Sequence, residues 1–247
     1  FINFDDESIF KDELSLEEIE KLTKNLGKSL LNINFTGGEP FARKDFKDIA
    51  YLYCKNTTIQ SIYITTNGSL PKRIKEFCEF IYENFKDIAI TISISVDDLK
   101  ERHDKIRKIK GLFENCIKSY EICKKLPNVT PVVQITVSHD NYNTVDNLYE
   151  DLVNKYNVKS IKSVAVRDEG VYKIPLENKQ NILKAYQDLV NKIKIDTDKN
   201  ILEVYDKKSI QGRMHYTKDL MTYNYVIKNY MTPKFETPCT AGKLFGI

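Results

Sequence analysis

The sequence predicts an α/β fold in which a parallel sheet curls into a partial barrel, with helices outside and polar side chains lining the inside. Three observations carry this expectation. Segments of two-residue apolar alternation take turns with segments of helical period, the pattern of successive βαβ units. The strand-like segments alternate apolar and polar residues, whereas strands covered by helices on both faces read as nearly continuous Val/Ile/Leu runs. The least ordinary residues fall where those segments end, which is where α/β barrels carry their ligand sites.

The elements follow in order. "SLEEIEKLTKNLGK" starts a helix with Ser15 three residues before Glu18, the spacing of a capping box, and has Gly27 near its end. "LLNINFT" reads as a strand, "RKDFKDIAYLYCKN" as a helix, "IQSIYITTNG" as a strand, and "PKRIKEFCEFIYENF" as a helix with Pro71 in its first turn. "IAITISISVDD" is the next strand. Helical period then runs from Leu99 to Lys125, with an interruption near Gly111. The strand "PVVQITVSH", the helix "TVDNLYEDLVNKY" and the strand "VKSIKSVAVRD" complete the series.

Period two places Asn32, Asn34 and Thr36 on one face, with Ser61, Tyr63, Thr65 and Asn67 in the next strand. Thr91, Ser93, Ser95 and Asp97 follow, then Gln134, Thr136 and Ser138, and finally Ser163, Ala165 and Arg167. Helices packed on the opposite, apolar face require the sheet to curl. The alternative is an amphipathic sheet with one solvated face.

Composition narrows the class. The 247 residues suit one barrel-sized domain with an appendage, and 41% hydrophobic with 30% charged residues is ordinary for a globular chain with a core. A net charge of +3 does not argue for nucleic acid or an anionic membrane as partner. No apolar run approaches the ~20 residues that span a bilayer. The five cysteines, Cys54, Cys78, Cys116, Cys123 and Cys239, form no C-x-x-C pair, so neither a disulfide framework nor a zinc knuckle is indicated. A reducing, cytoplasmic setting is the expectation. The ends "FINFDD" and "CTAGKLFGI" read as cuts through structure, and the chain as an internal fragment.

The strand ends carry the chemistry. In "TGGEP", Gly37 and Gly38 expose backbone without a Cβ, Glu39 supplies a carboxylate, and Pro40 stiffens the exit. A carboxylate beside open carbonyls suits an ammonium group. "TTNG" places Thr66 and Asn67 at the next exit. "SVD" sets Ser95 and Asp97 on one face, within reach of a diol such as a ribose. "HDKIR" follows with Arg107, whose fork suits a carboxylate. An ammonium, a diol and a carboxylate together describe an amino-acid nucleoside.

In this order, "TGGEPFARKDF", "ITTNGSLP", "ISVDDLKERHDKIRKIKGLFENCI" and the closing "CTAGKLFGI" resemble the radical S-adenosylmethionine (SAM) superfamily, and its SPASM or twitch-type members in particular. The resemblance implies a partial (β/α)6 TIM-like barrel over residues 1–170 that lacks its first strand. It implies a last core helix and helical linker over 171–237, and the start of a SPASM-type extension over 238–247. It also implies SAM and a [4Fe-4S] cluster that cleaves it reductively to a 5′-deoxyadenosyl radical, which abstracts hydrogen from a peptide or small-molecule substrate. A flavodoxin or ferredoxin would supply the electron. By the same resemblance Gly37, Gly38 and Glu39 with Pro40 hold the methionine amino group, and Ser95 and Asp97 the ribose. Arg107 holds the carboxylate, and Thr66 and Asn67 flank the adenosine. Gln134, Thr136 and Arg167 meet substrate or SAM, and Cys239 ligates an auxiliary iron–sulfur cluster. The family's C-x-x-x-C-x-x-C motif does not occur in the sequence, and its place is expected just upstream of Phe1. The alternatives are a cluster-less relative that binds nucleotide or peptide, and an ordinary partial-barrel lyase or hydrolase.

Plainer roles compete at several positions. Cys239 can be a buried thiol, and His103 a structural side chain that orients Arg107 or caps its segment. Cys116 and Cys123, seven apart, share a helix face directed into core. His139 and His215 carry no motif. The aromatics of "MHYTKDLMTYNYVIKNYM" read as packing of a connecting helix, with a substrate-facing lid as the alternative.

Overall fold

The computed structural model describes residues 13–167 and 174–232. Strands β1 (Asn32–Phe35), β2 (Ser61–Thr66), β3 (Ala89–Ser95), β4 (Val129–Val137) and β5 (Ile161–Ala165) hydrogen-bond in that order. The pairs β1–β2, β2–β3 and β3–β4 are parallel. Helices α1 (Leu16–Leu26), α2 (Phe46–Asn56), α3 (Pro71–Asn84), α4 (Lys100–Arg107), α5 (Leu112–Cys123) and α6 (Val145–Asn154) alternate with the strands. Helices α7 (Leu176–Asp198) and α8 (Ile210–Asn229) follow. This is the alternating topology of a (β/α)6-type partial barrel, as the strand and helix periods predict. The chain divides into two compact units, Phe1–Gln134 and Ile135–Ile247. Among the described residues no helix is long and apolar enough to cross a membrane.

In the first unit the expected capping box opens α1. The Ser15 hydroxyl accepts from the Glu18 N–H at 3.3 Å, and the Ser15 N–H donates to the Glu18 carboxylate at 2.8 Å. Ile62 and Ile64 of β2 and Ile90, Ile92 and Ile94 of β3 are buried, as are Ile74, Phe77 and Ile81 of α3 and Leu112, Phe113 and Cys116 of α5. The other face of β1 to β3 is polar and less buried. Asn32 and Asn34 are exposed, and Ser61, Tyr63, Thr65, Thr91 and Ser95 half-buried, although Ser93 is fully covered. The alternation predicted for these strands is therefore present.

One boundary differs from the sequence reading for a local reason. Helix α2 begins at Phe46 rather than Arg43, because Arg43 turns back onto Asp45 with Nε 2.7 Å from Oδ1. Pro40–Ala42 forms a separate short turn before it. The break expected near Gly111 is a left-handed pair. Lys108 ends α4 at φ 57° and Gly111 opens α5 at φ 73°. Asp104 closes the break by accepting from the N–H groups of Gly111 and Phe113. That satisfies donors which a helix start otherwise leaves orphaned.

In the second unit α7 packs on β5, α6 and α8, and it buries Ile182, Tyr186, Leu189 and Ile193. Strand β5 corrects the facing read from the sequence. Ser163 is buried on the same parity as Ile161, its hydroxyl donating to the Ile135 carbonyl at 3.2 Å, while Val164 is exposed. A small hydroxyl that finds a carbonyl partner sits among apolar residues at little cost. On α8, Tyr223 lies edge-on to Tyr186 with centroids 6.3 Å apart, and Tyr230 donates to the Val166 carbonyl at 2.9 Å. Of these two, Tyr223 is buried and Tyr230 half-buried.

Candidate functional site

The exits of β1 and β2 converge on one carboxylate. Glu39 follows the glycine pair, and its Oε1 accepts from the Thr66 hydroxyl at 2.7 Å and from the Phe41 N–H at 3.2 Å. Its Oε2 accepts from the Asn67 N–H at 2.6 Å. A carboxylate offers about four acceptor positions, so three donors hold it rigidly and leave room for a further partner. Burial pushes its pKa up, against the lowering effect of the Asn67, Thr66 and Phe41 donors and the more distant charge of Arg107. The anion is thus positioned but incompletely compensated in charge, the condition in which an incoming cation is bound best.

The loop that carries Glu39 is fixed from below. Phe41 is buried, edge-on to Phe46 at 5.3 Å and to Phe77 at 5.6 Å, while Phe46 and Phe77 stack at 4.9 Å. Arg73 of α3 donates to the carbonyls of Phe41 and Ala42 at 2.8 and 3.1 Å. Pro40 heads the turn in which this occurs. Above the anchor Gly37 has φ 129°, and no atom lies within 4 Å of the place a Cβ would take. Gly37 and Gly38 are both exposed. The backbone there is open to a ligand, and at Gly37 it has a conformation that a side chain would strain.

The β2 exit is tight instead. Gly68 has φ 73°, and a Cβ on it would lie 2.9 Å from Ile94 Cγ2 and 3.1 Å from Cys116 Sγ. Its N–H donates to the Thr66 hydroxyl at 3.0 Å, so that hydroxyl both receives from Gly68 and donates to Glu39. Thr66 is buried, and Asn67 is half-buried with its Oδ1 accepting from the Ser69 N–H at 2.9 Å. At the β3 exit, Arg107 pairs with Asp97, Nε and Nη2 each 2.6 Å from Oδ2. Asp97 is buried. Ser95 is half-buried and stands in register with Gln134, whose amide nitrogen is buried without a hydrogen-bond acceptor. A buried donor without an acceptor is costly unless a ligand or water supplies one.

The structure therefore brings together Glu39, Thr66 and Asn67 in one cluster and Asp97 with Arg107 in another, with Ser95 beside Gln134. Thr136 and Arg167 belong to the second unit. Thr136 is half-buried with its carbonyl accepting from Asn141 Nδ2 at 2.9 Å, and Arg167 is exposed. Cys239 lies outside the described residues. Sequence reasoning missed Phe41 and Arg73 as anchors. The signal for Phe41 was an aromatic directly after the proline, and nothing local marked Arg73.

SAM and a cluster make separate demands on these residues. A desolvated carboxylate, open glycine backbone, an arginine–carboxylate pair and an unsatisfied amide suit an amino-acid nucleoside. For the cluster, no group of three or more His, Cys, Asp or Glu side chains among the described residues is arranged to hold a metal ion. Cys54, Cys78, Cys116 and Cys123 are all buried. Burial raises the thiols of Cys54 and Cys116 to about 12, and a hydrogen bond with Cys123, with burial, raises that of Cys78. Cluster ligation takes several thiolates at one place, and these four buried cysteines are not grouped in that way.

Comparison with known proteins agrees with the architecture. A model of the "Radical SAM superfamily" matches residues 4–152, more than half of the chain. The GTP 3′,8-cyclase of Clostridium botulinum (strain Okra / Type B1) is 30% identical over 195 residues, covering 74% of this chain and 56% of the cyclase. The Fe-coproporphyrin III synthase of Methanosarcina barkeri is 27% identical over 143 residues, covering 57% of this chain and 34% of the synthase. The chain thus spans from a third to just over half the length of these curated relatives. With the alternating parallel topology and the family match over β1 to β4, this chain belongs to the radical SAM superfamily.

Proposed function

We propose that the first unit binds SAM and orients it for reductive cleavage to a 5′-deoxyadenosyl radical, which abstracts hydrogen from a peptide or small-molecule substrate. The observation that carries the reading is Glu39, a carboxylate fixed by three donors, raised in pKa by burial, and set beside exposed glycine backbone. The methionine ammonium takes the remaining acceptor position on Glu39 and the carbonyls near Gly37 and Gly38, with Pro40 fixing the exit. Arg107 takes the methionine carboxylate. Ser95 and Asp97 take the ribose, Asp97 sharing its carboxylate with Arg107. Asn67 flanks the adenosine, and Thr66 acts by holding Glu39 in place. The Gln134 amide nitrogen of the first unit serves substrate or the far end of SAM, and Thr136 and Arg167 of the second unit are assigned to SAM or substrate on the family resemblance alone.

The family's chemistry draws an electron from a [4Fe-4S] cluster, supplied in turn by a donor such as flavodoxin or ferredoxin. The described residues offer that cluster no ligand set, so what is assigned to them is the binding and orientation of SAM. An auxiliary cluster on Cys239, in an extension of SPASM type, belongs to the same reading, as does a cytoplasmic setting. The test is anaerobic reconstitution of the full-length protein with iron and sulfide, followed by dithionite and SAM. The reading predicts 5′-deoxyadenosine, and a Glu39→Ala variant that needs at least about tenfold more SAM for the same rate. No 5′-deoxyadenosine from the reconstituted protein, or a variant as efficient as the parent at low SAM, contradicts it.

A further inference from the structure

We infer that the buried His103 is a positioning residue whose two ring nitrogens tie the exits of β3, β2 and β1 into one frame, holding Glu39 and the Asp97–Arg107 pair in fixed relation. The inference rests on the reading of this site as the one that takes SAM. His103 lies on α4 and is fully buried. Its Nδ1 accepts from the Asp97 N–H at 3.1 Å. Its Nε2 lies 3.7 Å from Cys116 Sγ on α5. The Cys116 thiol in turn donates to the Asn67 carbonyl at 3.1 Å. The N–H of that same Asn67 donates to Glu39 at 2.6 Å.

The polarity of these contacts fits a single protonation pattern. With Nδ1 accepting, a neutral imidazole carries its proton on Nε2. That proton points at the Cys116 sulfur, whose own proton goes to the Asn67 carbonyl. Every member then donates once along the chain, the Cys116 proton going to the Asn67 carbonyl at 3.1 Å rather than to the more distant Ser95 carbonyl at 3.8 Å. The side chain next in sequence, Asp104, is turned away to the start of α5 and takes no part. Asp97 is buried, so losing the Nδ1 acceptor removes a hydrogen bond that holds its N–H and lets the exit move. Because Oδ2 of the same residue holds Arg107, a shift of this exit displaces the guanidinium as well. A histidine that only filled space would be served equally by any neutral side chain of similar volume, whereas a frame requires an acceptor at one defined place.

Two replacements separate these roles. In His103→Asn the side-chain oxygen can sit where Nδ1 was, and in His103→Gln the amide reaches the position of Nε2 and vacates that of Nδ1. Equilibrium binding of SAM to the purified protein and both variants, each checked by thermal unfolding, reads the effect. His103→Gln is expected to weaken SAM binding about tenfold, and His103→Asn, which keeps the Asp97 acceptor but gives up the Cys116 link, to recover part of that loss. Equal losses in the two variants, or none in either, overturn the inference. Failure of the parent protein to bind SAM overturns the underlying reading instead. A second measurement needs no ligand and no variant: the nitrogen-15 spectrum of the histidines at neutral pH. It should show His103 as the neutral tautomer protonated on Nε2. The Nδ1-protonated tautomer or an imidazolium there overturns the frame.

Discussion

Glu39 combines two properties that ordinarily exclude each other, burial and charge. Desolvation favours its protonated form, while the Asn67 and Phe41 N–H groups and the Thr66 hydroxyl favour the ionised one, and burial prevails. An acid whose pKa is raised on folding binds its proton more tightly in the folded state. Its ionisation therefore costs stability as pH rises from the ordinary value of 4.5 through the raised one. A bound ammonium reverses this by favouring the anion. SAM affinity should accordingly strengthen as pH rises from 4.5 and level off once Glu39 is ionised, and Glu39→Gln should flatten that rise. Binding curves measured across this range check it, and an equal pH response in the variant speaks against Glu39 as the contact. The residue types at this site are legible in the sequence, since "GGE", "TTN" and "SVD" each close an alternating segment. Their partnerships are not. Nothing in the order of residues says that Thr66 turns inward to Glu39, or that Asp97 commits its carboxylate to Arg107. His103 is fully buried with its pKa lowered by burial to about 4, although Asp97 nearby favours the cation. That neutrality comes first from burial, which the motif "HDKIR" could not announce.

The loops of the site are only as rigid as the elements that hold them. The β1 exit is pinned by Phe41 between Phe46 of α2 and Phe77 of α3, and the β3 exit by α4 and its left-handed join to α5. In that join Asp104 takes the place of a helix-capping side chain, because Gly111 has none to offer. Its carboxyl, though pushed up by burial, is held below the ordinary value by the N–H groups of Phe113 and Gly111. Its stabilising effect is therefore present above that value and lost as pH falls through the depressed one. Asp104→Ala should destabilise the protein by about 1–2 kcal/mol at neutral pH, read from the midpoint of urea unfolding. An unchanged midpoint refutes the capping role. At this scale the sequence is informative wherever periodicity is strong. Strands β1 to β4 and the interruption at Gly111 follow directly from period and glycine. The facing of strand β5 does not, because Ser163 is held inward by the Ile135 carbonyl beside it and by α7 packed on that strand. The start of α2 was obscured by the Arg43–Asp45 pair, an interaction that helix propensity does not encode.

At the scale of the molecule, a strand-end carboxylate, an arginine and an unsatisfied amide gather in one compact unit of a radical SAM superfamily chain. The curled-sheet reading drawn from alternating strands holds at the level of topology, and the polar face it assigned is the face on which Ser95 and Gln134 stand in register. The cluster chemistry is a matter for residues other than the four described cysteines, which are buried and not grouped to hold a metal ion. Whether Glu39 receives the ammonium of SAM is tested most directly by comparing SAM with its analogue lacking the amino group. Equilibrium binding to the purified protein should favour SAM by at least about tenfold, and Glu39→Gln should abolish the preference by weakening SAM alone. A parent protein that binds both ligands equally, or a variant that keeps the preference, contradicts the assignment.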